Sequence, residues 1–400
     1  MPERRGRTAR LLLALALWTW SCVAFAAPRI GVVTMQPGEI FFERFGHNAI
    51  VVADPVDGSV TSYNFGFFDP TEEDFIARFV RGDMRYRLVA LPLEQDLEYY
   101  RDVGRGVSLQ WLDLDARDAS ELAAALAENA RPENAHYGYD YFLDNCSTRV
   151  RDALDRALGG RLHQQLDTRR ATTFRSESTR LASPDFWMWL GFDIGLGPAA
   201  DVPLDGWAEA FVPMRLEDEL AAAVNRQGRP LVVDQRLLIP HRLPPEPEMA
   251  GTPRPWWPWL LAGLGLAAVV VGAGARLRRT WATVAFSFWL VSGLLSALML
   301  FIWFGTAHEF GWANRNLLLF SPFGWLLLPA AWRVLRRGTP ARWSTWLAWV
   351  VAAGSACALV MYWLEPFPQR HLHWIVAILP VQLALAWTLQ SIRGHGTIRR

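Results

Sequence analysis

Apolar residues follow two regimes along this chain. From about residue 29 to 242 they come in short runs, alternating with polar residues or recurring every three to four positions, while long apolar stretches fill most of 256–392. Five stretches stand out, Trp256–Ala275, Trp281–Phe304, Leu317–Val334, Trp343–Leu364 and Trp374–Ile392. Each has the length to cross about 30 Å of hydrocarbon at about 1.5 Å per residue. The third, with Pro322 and Pro329 inside it, is the least regular, a feature tolerated where helices pack on neighbours or line a cavity. A proline-rich connector, 243–255, precedes the first span. At the other end, Arg4, Arg5, Arg7 and Arg10, an apolar run Leu11–Trp20 and the small-x-small tripeptide Ala24-Phe25-Ala26 predict a signal peptide over 1–26. The expected organisation is therefore a signal peptide (1–26), an exported α+β domain (27–242), the linker (243–255), an all-α five-helix transmembrane domain (256–392) and a cytoplasmic tail (393–400).

Two segments of the exported half carry the clearest local patterns. FGHNAIVVADPVDGSVTSYNFGFFD places two β-rich runs around a Pro-Val-Asp-Gly turn signal at 55–58. With the turn centred there, Ala49 faces Asn64, and the two-residue period puts His47 and Asn64 on one face as diagonal neighbours, with Tyr63 excluded by parity. In YGYDYFLDNCSTRVRDALDRALGG, Val150, Ala153, Leu154, Ala157 and Leu158 recur at helical spacing, Asp144 or Asn145 supplies a cap, and Gly159-Gly160 ends the run. Cys146 thus sits in the first helical turn.

Charge sets orientation. Arginines 276, 278, 279, 333, 336, 337, 342, 393, 399 and 400 follow spans one, three and five, against only Arg315 and Arg370 in the other two loops. That asymmetry puts the first set in the cytoplasm and the domain before the first span outside, as the signal peptide requires. Tryptophans 256, 257, 281, 343 and 374 at span edges fit an interfacial belt. The formal net charge is +1, which gives no electrostatic footprint for nucleic acid.

Of the cysteines, Cys22 lies in the signal segment and Cys357 in an apolar helix, leaving Cys146 alone in the exported domain. An unpaired thiol in an oxidising compartment is either a candidate nucleophile or a buried small hydrophobe. At a helix start, the positive end of the macrodipole and free N–H groups favour thiolate, and the same N–H groups suit a tetrahedral oxyanion. The thiolate needs one imidazole to serve as base and then acid, and His47 is the best placed; His136, His163 and His241 lie in a loop, past a helix end and beside the linker.

The runs ERFGHNAI, YNFGFFD, RFVRGDMRYRL and YDYFLDNCSTRVRDAL, in that order and ahead of a polytopic domain, resemble the bacterial Lnb-type lipoprotein N-acyltransferases. The resemblance implies a permuted papain-like (NlpC/P60-like) fold, in which the histidine strand precedes the cysteine helix. It implies that Cys146 takes a fatty acyl chain from a membrane phospholipid as a thioester, and that the N-terminal amine of a bacterial lipoprotein accepts it. His47 carries over as base, Asn64 as its orienting group, with no cofactor or metal, in a multi-pass protein of the inner membrane whose catalytic domain is periplasmic. The outer-loop run HEFGWANRNLLLF also resembles the family and offers His308, Asn314 and Asn316 as substrate-binding residues.

Two metal readings find little support: His308-Glu309 is followed by Trp312 where a zinc protease needs histidine, and His371-x-His373 is only a pair. Arg85, Arg105, Arg149 and Arg151 suit phosphates or ordinary ion pairs, and the aromatic stretch 183–197 suits core or an interfacial patch. The same Cys-His pair also fits a hydrolase, either a cell-wall amidase or peptidase, against which five spans argue, or a phospholipase, which differs only in letting water take the thioester.

Overall fold

The computed structural model describes residues 27–248, 255–366 and 368–397; the signal-peptide segment and part of the linker lie outside the described residues. In chain order the first half runs β1 (Arg29–Met35), β2 (His47–Ala53), β3 (Val60–Phe67), α1 (Phe75–Arg81), β4 (Arg85–Pro92), α2 (Leu93–Val103), β5 (Val107–Leu112), α3 (Ala116–Asn129), β6 (His136–Gly138), α4 (Cys146–Ala157), α5 (Arg161–Leu166), α6 (Phe174–Ala182), α7 (Phe186–Gly195), α8 (Gly206–Glu209), α9 (Pro213–Ala222) and β7 (Val232–Ile239). The strands form one antiparallel sheet in the order β6-β4-β3-β2-β1-β5-β7.

The β2–β3 hairpin forms because Asp54 closes its turn, accepting from Val56 N–H at 2.7 Å, while Gly58 takes the left-handed conformation at φ +73°. Its register pairs Ala49 with Asn64, as the alternation predicts. Successive β2 side chains then serve two cores. Ile50 and Val52 pack with Val150 and Leu154 of α4 and Leu122 and Leu126 of α3. Ala49 and Val51 face Leu97 and Tyr100 of α2 on the other side. Val150 and Leu154 are fully buried, and burial of such side chains stabilises by about 1.5–3 kcal/mol each. Helix α4 is fixed at its start by a reciprocal capping box: Asn145 Oδ1 accepts from Thr148 N–H and Thr148 Oγ1 from Asn145 N–H.

Five apolar helices follow, α10 (Trp257–Arg276), α11 (Arg278–Gly305), α12 (Gly324–Leu335), α13 (Arg342–Leu364) and α14 (Leu372–Thr397). Four are long and apolar enough to cross a membrane; α12 is not. Of the expected third span, Leu317–Val334, only the second part forms this helix, and its twelve residues reach about 18 Å. Before it, the chain is held in short 3-10 turns by side chains that tie it to the first half and to the loop before α14. Asn314 Nδ2 donates to the carbonyls of Ile194, Gly195 and Leu196, and Gln369 Oε1 accepts from Arg315 N–H. Pro322, with no N–H and a restricted predecessor, completes the interruption.

These bonds belong to a buried polar joint between the halves. Arg175 of α6 meets both carboxylate oxygens of Asp201 at 3.0 and 2.9 Å and donates to the carbonyls of Asp193, Leu196 and Gly197. Asp193 in turn accepts from Trp374 Nε1 and pairs with His373 Nε2 at 2.8 Å. The aromatic stretch is divided between the two expected environments: Trp189 and Asp193 are buried, while Phe186 and Trp187 at the start of α7 are exposed.

Candidate active site

Helix α4 brings Cys146 to the end of the sheet where β2 begins, and His47 is the first residue of β2. The two side chains line the same cavity, and each shifts the titration of the other. His47 approaches closely because Gly46, at φ +77°, turns the chain in a space closed by Met214 Sδ and the Met35 carbonyl, where a Cβ would lie 2.8 and 2.9 Å from them. On β3, Gly66 at φ +90° lies in a register shift and has the Cys146 Cβ 3.7 Å from where its own Cβ would be.

Behind His47 a relay of hydrogen bonds fixes every donor. Asp96 accepts from Ser62 Oγ at 2.7 Å and from Asn64 Nδ2 at 2.9 Å. A carboxylate only accepts, so the Asn64 amide must turn its Nδ2 to Asp96 and its Oδ1 to His47. Asn64 Oδ1 then accepts from His47 Nε2–H at 3.0 Å, leaving Nδ1 for Cys146. Asn64 and Asp96 are both 8 % exposed.

Burial is the largest single influence on both groups and disfavours both charged forms, but the neighbouring charges and hydrogen bonds together outweigh it. The charge and hydrogen bond of His47, with the Asn48 and Ser147 N–H groups, hold the Cys146 thiol below its ordinary value. The Cys146 sulfur, Asp96 and Asn64 raise the His47 imidazole above its ordinary value. The site sets a thiol whose ionisation is favoured beside an imidazole whose protonation is favoured, at the start of a helix, an arrangement suited to activating a thiol for attack on a carbonyl.

The pair lies on the wall of a cavity of roughly 300 Å³ lined mainly by aromatic rings, among them Phe42, Phe45, Phe79, Tyr141 and Phe192. His308 from the outer loop reaches the same cavity, its Nε2 donating to the Phe79 carbonyl at 3.0 Å and its Nδ1 accepting from Tyr141 Oη–H at 3.3 Å.

A model of the Lnb N-terminal periplasmic domain matches residues 19–178 and one of the Lnb transmembrane domain matches 249–393. The chain belongs to the Lnb-type family. No curated protein and no solved structure matches it. Membership makes the chain a multi-pass membrane protein with a periplasmic domain, within a family of lipoprotein-modifying membrane enzymes. The His47 strand preceding the Cys146 helix, on an antiparallel sheet with helices, is the order expected of the permuted fold.

Of the residues singled out in the sequence, the fold brings Cys146, His47, Asn64 and His308 together and leaves Asn314 and Asn316 out. The latter two are 2 % and 0 % exposed, away from the cavity lining. Asn316 Nδ2 donates to the Ile194 carbonyl and its Oδ1 accepts from His371 Nδ1–H. Both amides cap the carbonyl end of α7 and hold the joint. His163 stacks on Trp207, and His241 Nδ1 accepts from Gly106 N–H. Arg105, Arg149 and Arg151 pair with Glu43, Asp144 and Asp152. Among the described residues, no group of three or more His, Cys, Asp or Glu side chains could hold a metal ion.

Asp96 escaped the sequence reading. Its signal was local: in α2 it lies three residues after Leu93 and four before Tyr100, on the same side as Leu97. A carboxylate on an apolar stripe needs a buried partner.

Proposed function

We propose that the chain is a thiol-dependent N-acyltransferase of the bacterial inner membrane. It would move a fatty acyl chain from a membrane phospholipid, through a thioester on Cys146, to the N-terminal amine of a lipoprotein. The observation that carries this reading is the Cys146–His47 pair on the wall of an aromatic cavity that includes an outer-loop residue. A water-soluble substrate gains little from such walls, whereas an acyl chain gains about 0.8 kcal/mol per buried methylene.

In the first half-reaction Cys146 Sγ attacks the ester carbonyl and the new oxyanion is met by N–H groups at the start of α4. As the ester C–O bond breaks, the His47 imidazolium passes its Nδ1 proton to the departing lysophospholipid alkoxide. In the second half, the lipoprotein amine attacks the thioester carbonyl, His47 takes a proton from nitrogen, and the C–S bond breaks to restore thiolate and imidazolium. Ester plus amine becomes amide plus alcohol, with no redox change. Asn64 and Asp96 keep Nε2–H engaged so that Nδ1 faces sulfur throughout.

Intact-mass spectrometry of the full-length protein and its Cys146→Ala variant, incubated with phospholipid and then a diacylated lipopeptide, tests this. The expected result is a fatty-acyl adduct on the unsubstituted protein alone, discharged to the peptide amine. Discharge only to water identifies a phospholipase, and absence of any adduct on folded protein removes the acyl-carrier role.

A further inference from the structure

The cavity sits where the chain leaves the membrane. Helix α11 ends at Gly305, and His308, three residues later, is already part of the cavity wall. Between them Ala307 N–H donates to the Arg81 carbonyl at 2.7 Å, so the last residue of α1 is stitched to the end of the span. The contact is close enough that a Cβ at Gly82 would lie 3.0 Å from the Ala307 carbonyl carbon. Helix α1 thus packs against the end of the apolar helix α11.

Its side chains suit that place. Phe79 points inward to the cavity and Phe75 to the packed aromatic group around Phe68 and Tyr86. Ile76 and Val80, one turn apart on another face, are exposed at 72 % and 44 %. The neighbouring turn adds Ile40, Phe41 and Phe42, also exposed, with the Phe42 ring 6.1 Å from Phe79. Phe304, at the end of α11, is exposed as well. Lipid-facing α11 therefore runs directly into an apolar rim, and two rim residues, Phe41 and Phe42, also line the cavity.

We propose that this rim, Ile40 to Phe42 together with Ile76 and Val80, dips into the outer leaflet and forms a lateral portal, through which the acyl chain of a bilayer phospholipid enters without passing through water. The step rests on the acyl-donor reading above. Interfacial helices of this kind seat their apolar face about 5–10 Å into the headgroup and acyl boundary, and α1 with Val80 beside the bonded Arg81 carbonyl is within that reach.

Two readouts separate this surface from the chemistry. The first uses full-length protein in phosphatidylglycerol–phosphatidylethanolamine vesicles, with Cys22→Ser, Cys146→Ser and Cys357→Ser as background and bimane attached at a single added thiol. Ile76→Cys should be quenched by lipids brominated near the glycerol end of the chains, as Phe304→Cys is. Val56→Cys, on the hairpin turn at the far end of β2 from His47, should not be. The second compares Cys146 acylation in the Ile76→Asp/Val80→Asp variant. Acylation from vesicle phospholipid should fall roughly tenfold or more, while acylation from a monomeric short-chain ester stays unchanged. Absence of quenching at position 76 alongside quenching at 304 overturns the portal whatever the activity. Equal loss with both donors, or loss with neither, also overturns it. If the unsubstituted protein forms no acyl-thiol at all, the acyl-donor reading fails, and quenching alone decides whether the rim meets lipid.

Discussion

Asp96 offers the sharpest test of how the site is tuned, because it touches neither Cys146 nor the cavity lining. Its Oδ2 holds the Asn64 amide at 2.9 Å, and that amide holds His47. Asp96→Ala leaves Asn64 Nδ2 with only Ser62, its hydroxyl at 3.0 Å and its carbonyl at 3.5 Å. A hydrogen bond to a charged group contributes about 1.5–3 kcal/mol. If that energy serves to orient the imidazole in the transition state, the acylation rate falls about 10- to 150-fold. Asp96→Asn keeps an acceptor and loses the charge; a neutral bond is about half as strong, so the expected loss is about 1 kcal/mol, or about fivefold.

The pH profile distinguishes tuning from simple damage. Acylation needs thiolate to attack and imidazolium to protonate the leaving group, so the rate rises with pH through the lowered thiol value and falls through the raised imidazole value. Asp96 helps to raise the latter. Without its charge the imidazolium is weaker and supports the thiolate less, so the active window narrows from both sides, the limbs belonging to the coupled pair. The acid limb can be read by iodoacetamide alkylation of Cys146, resolved by peptide mass spectrometry, and the alkaline limb by single-turnover acylation. A slower enzyme with an unmoved window would refute the reasoning and reduce Asp96 to packing.

Gly46→Ala forces a side chain into left-handed backbone against Met214 and the Met35 carbonyl, which costs about 1–2 kcal/mol. Because the strain displaces the adjacent His47, the acylation rate should fall about tenfold or more in single-turnover assays while the protein stays folded. Arg175→Met leaves the buried Asp201 without its ion pair, holding only the Arg370 N–H, and should destabilise the joint by about 3–5 kcal/mol, measured by thermal unfolding in detergent. Asn314→Ala should cost about 1–3 kcal/mol and raise hydrogen exchange at the carbonyl end of α7 without moving the Cys146 pH window; a raised KM with unchanged stability would instead restore its substrate-binding role.

What the sequence determined by itself is what depends on near neighbours. The period of two in β2 and β3 and the Asp54–Gly58 turn set a register in which Ala49 faces Asn64, because a one-residue slip would turn both buried faces inside out. The capped apolar period from Asn145 onward set the start of α4, and so placed Cys146 at the end of a helix. Four spans were readable from length and apolarity alone. Only the tertiary structure decided which distant polar groups meet. Asp96 acts through Asn64 because α2 folds across the sheet from a position 32 residues away. Asn314 and Asn316 share a run with His308, yet they turn to the α7 carbonyls while His308 turns to the cavity. The same long-range bonds shorten the third span against its own hydropathy. An unsatisfied carbonyl at the end of a buried helix must find a donor, and the position of that donor along the chain is set by packing, not by any local pattern.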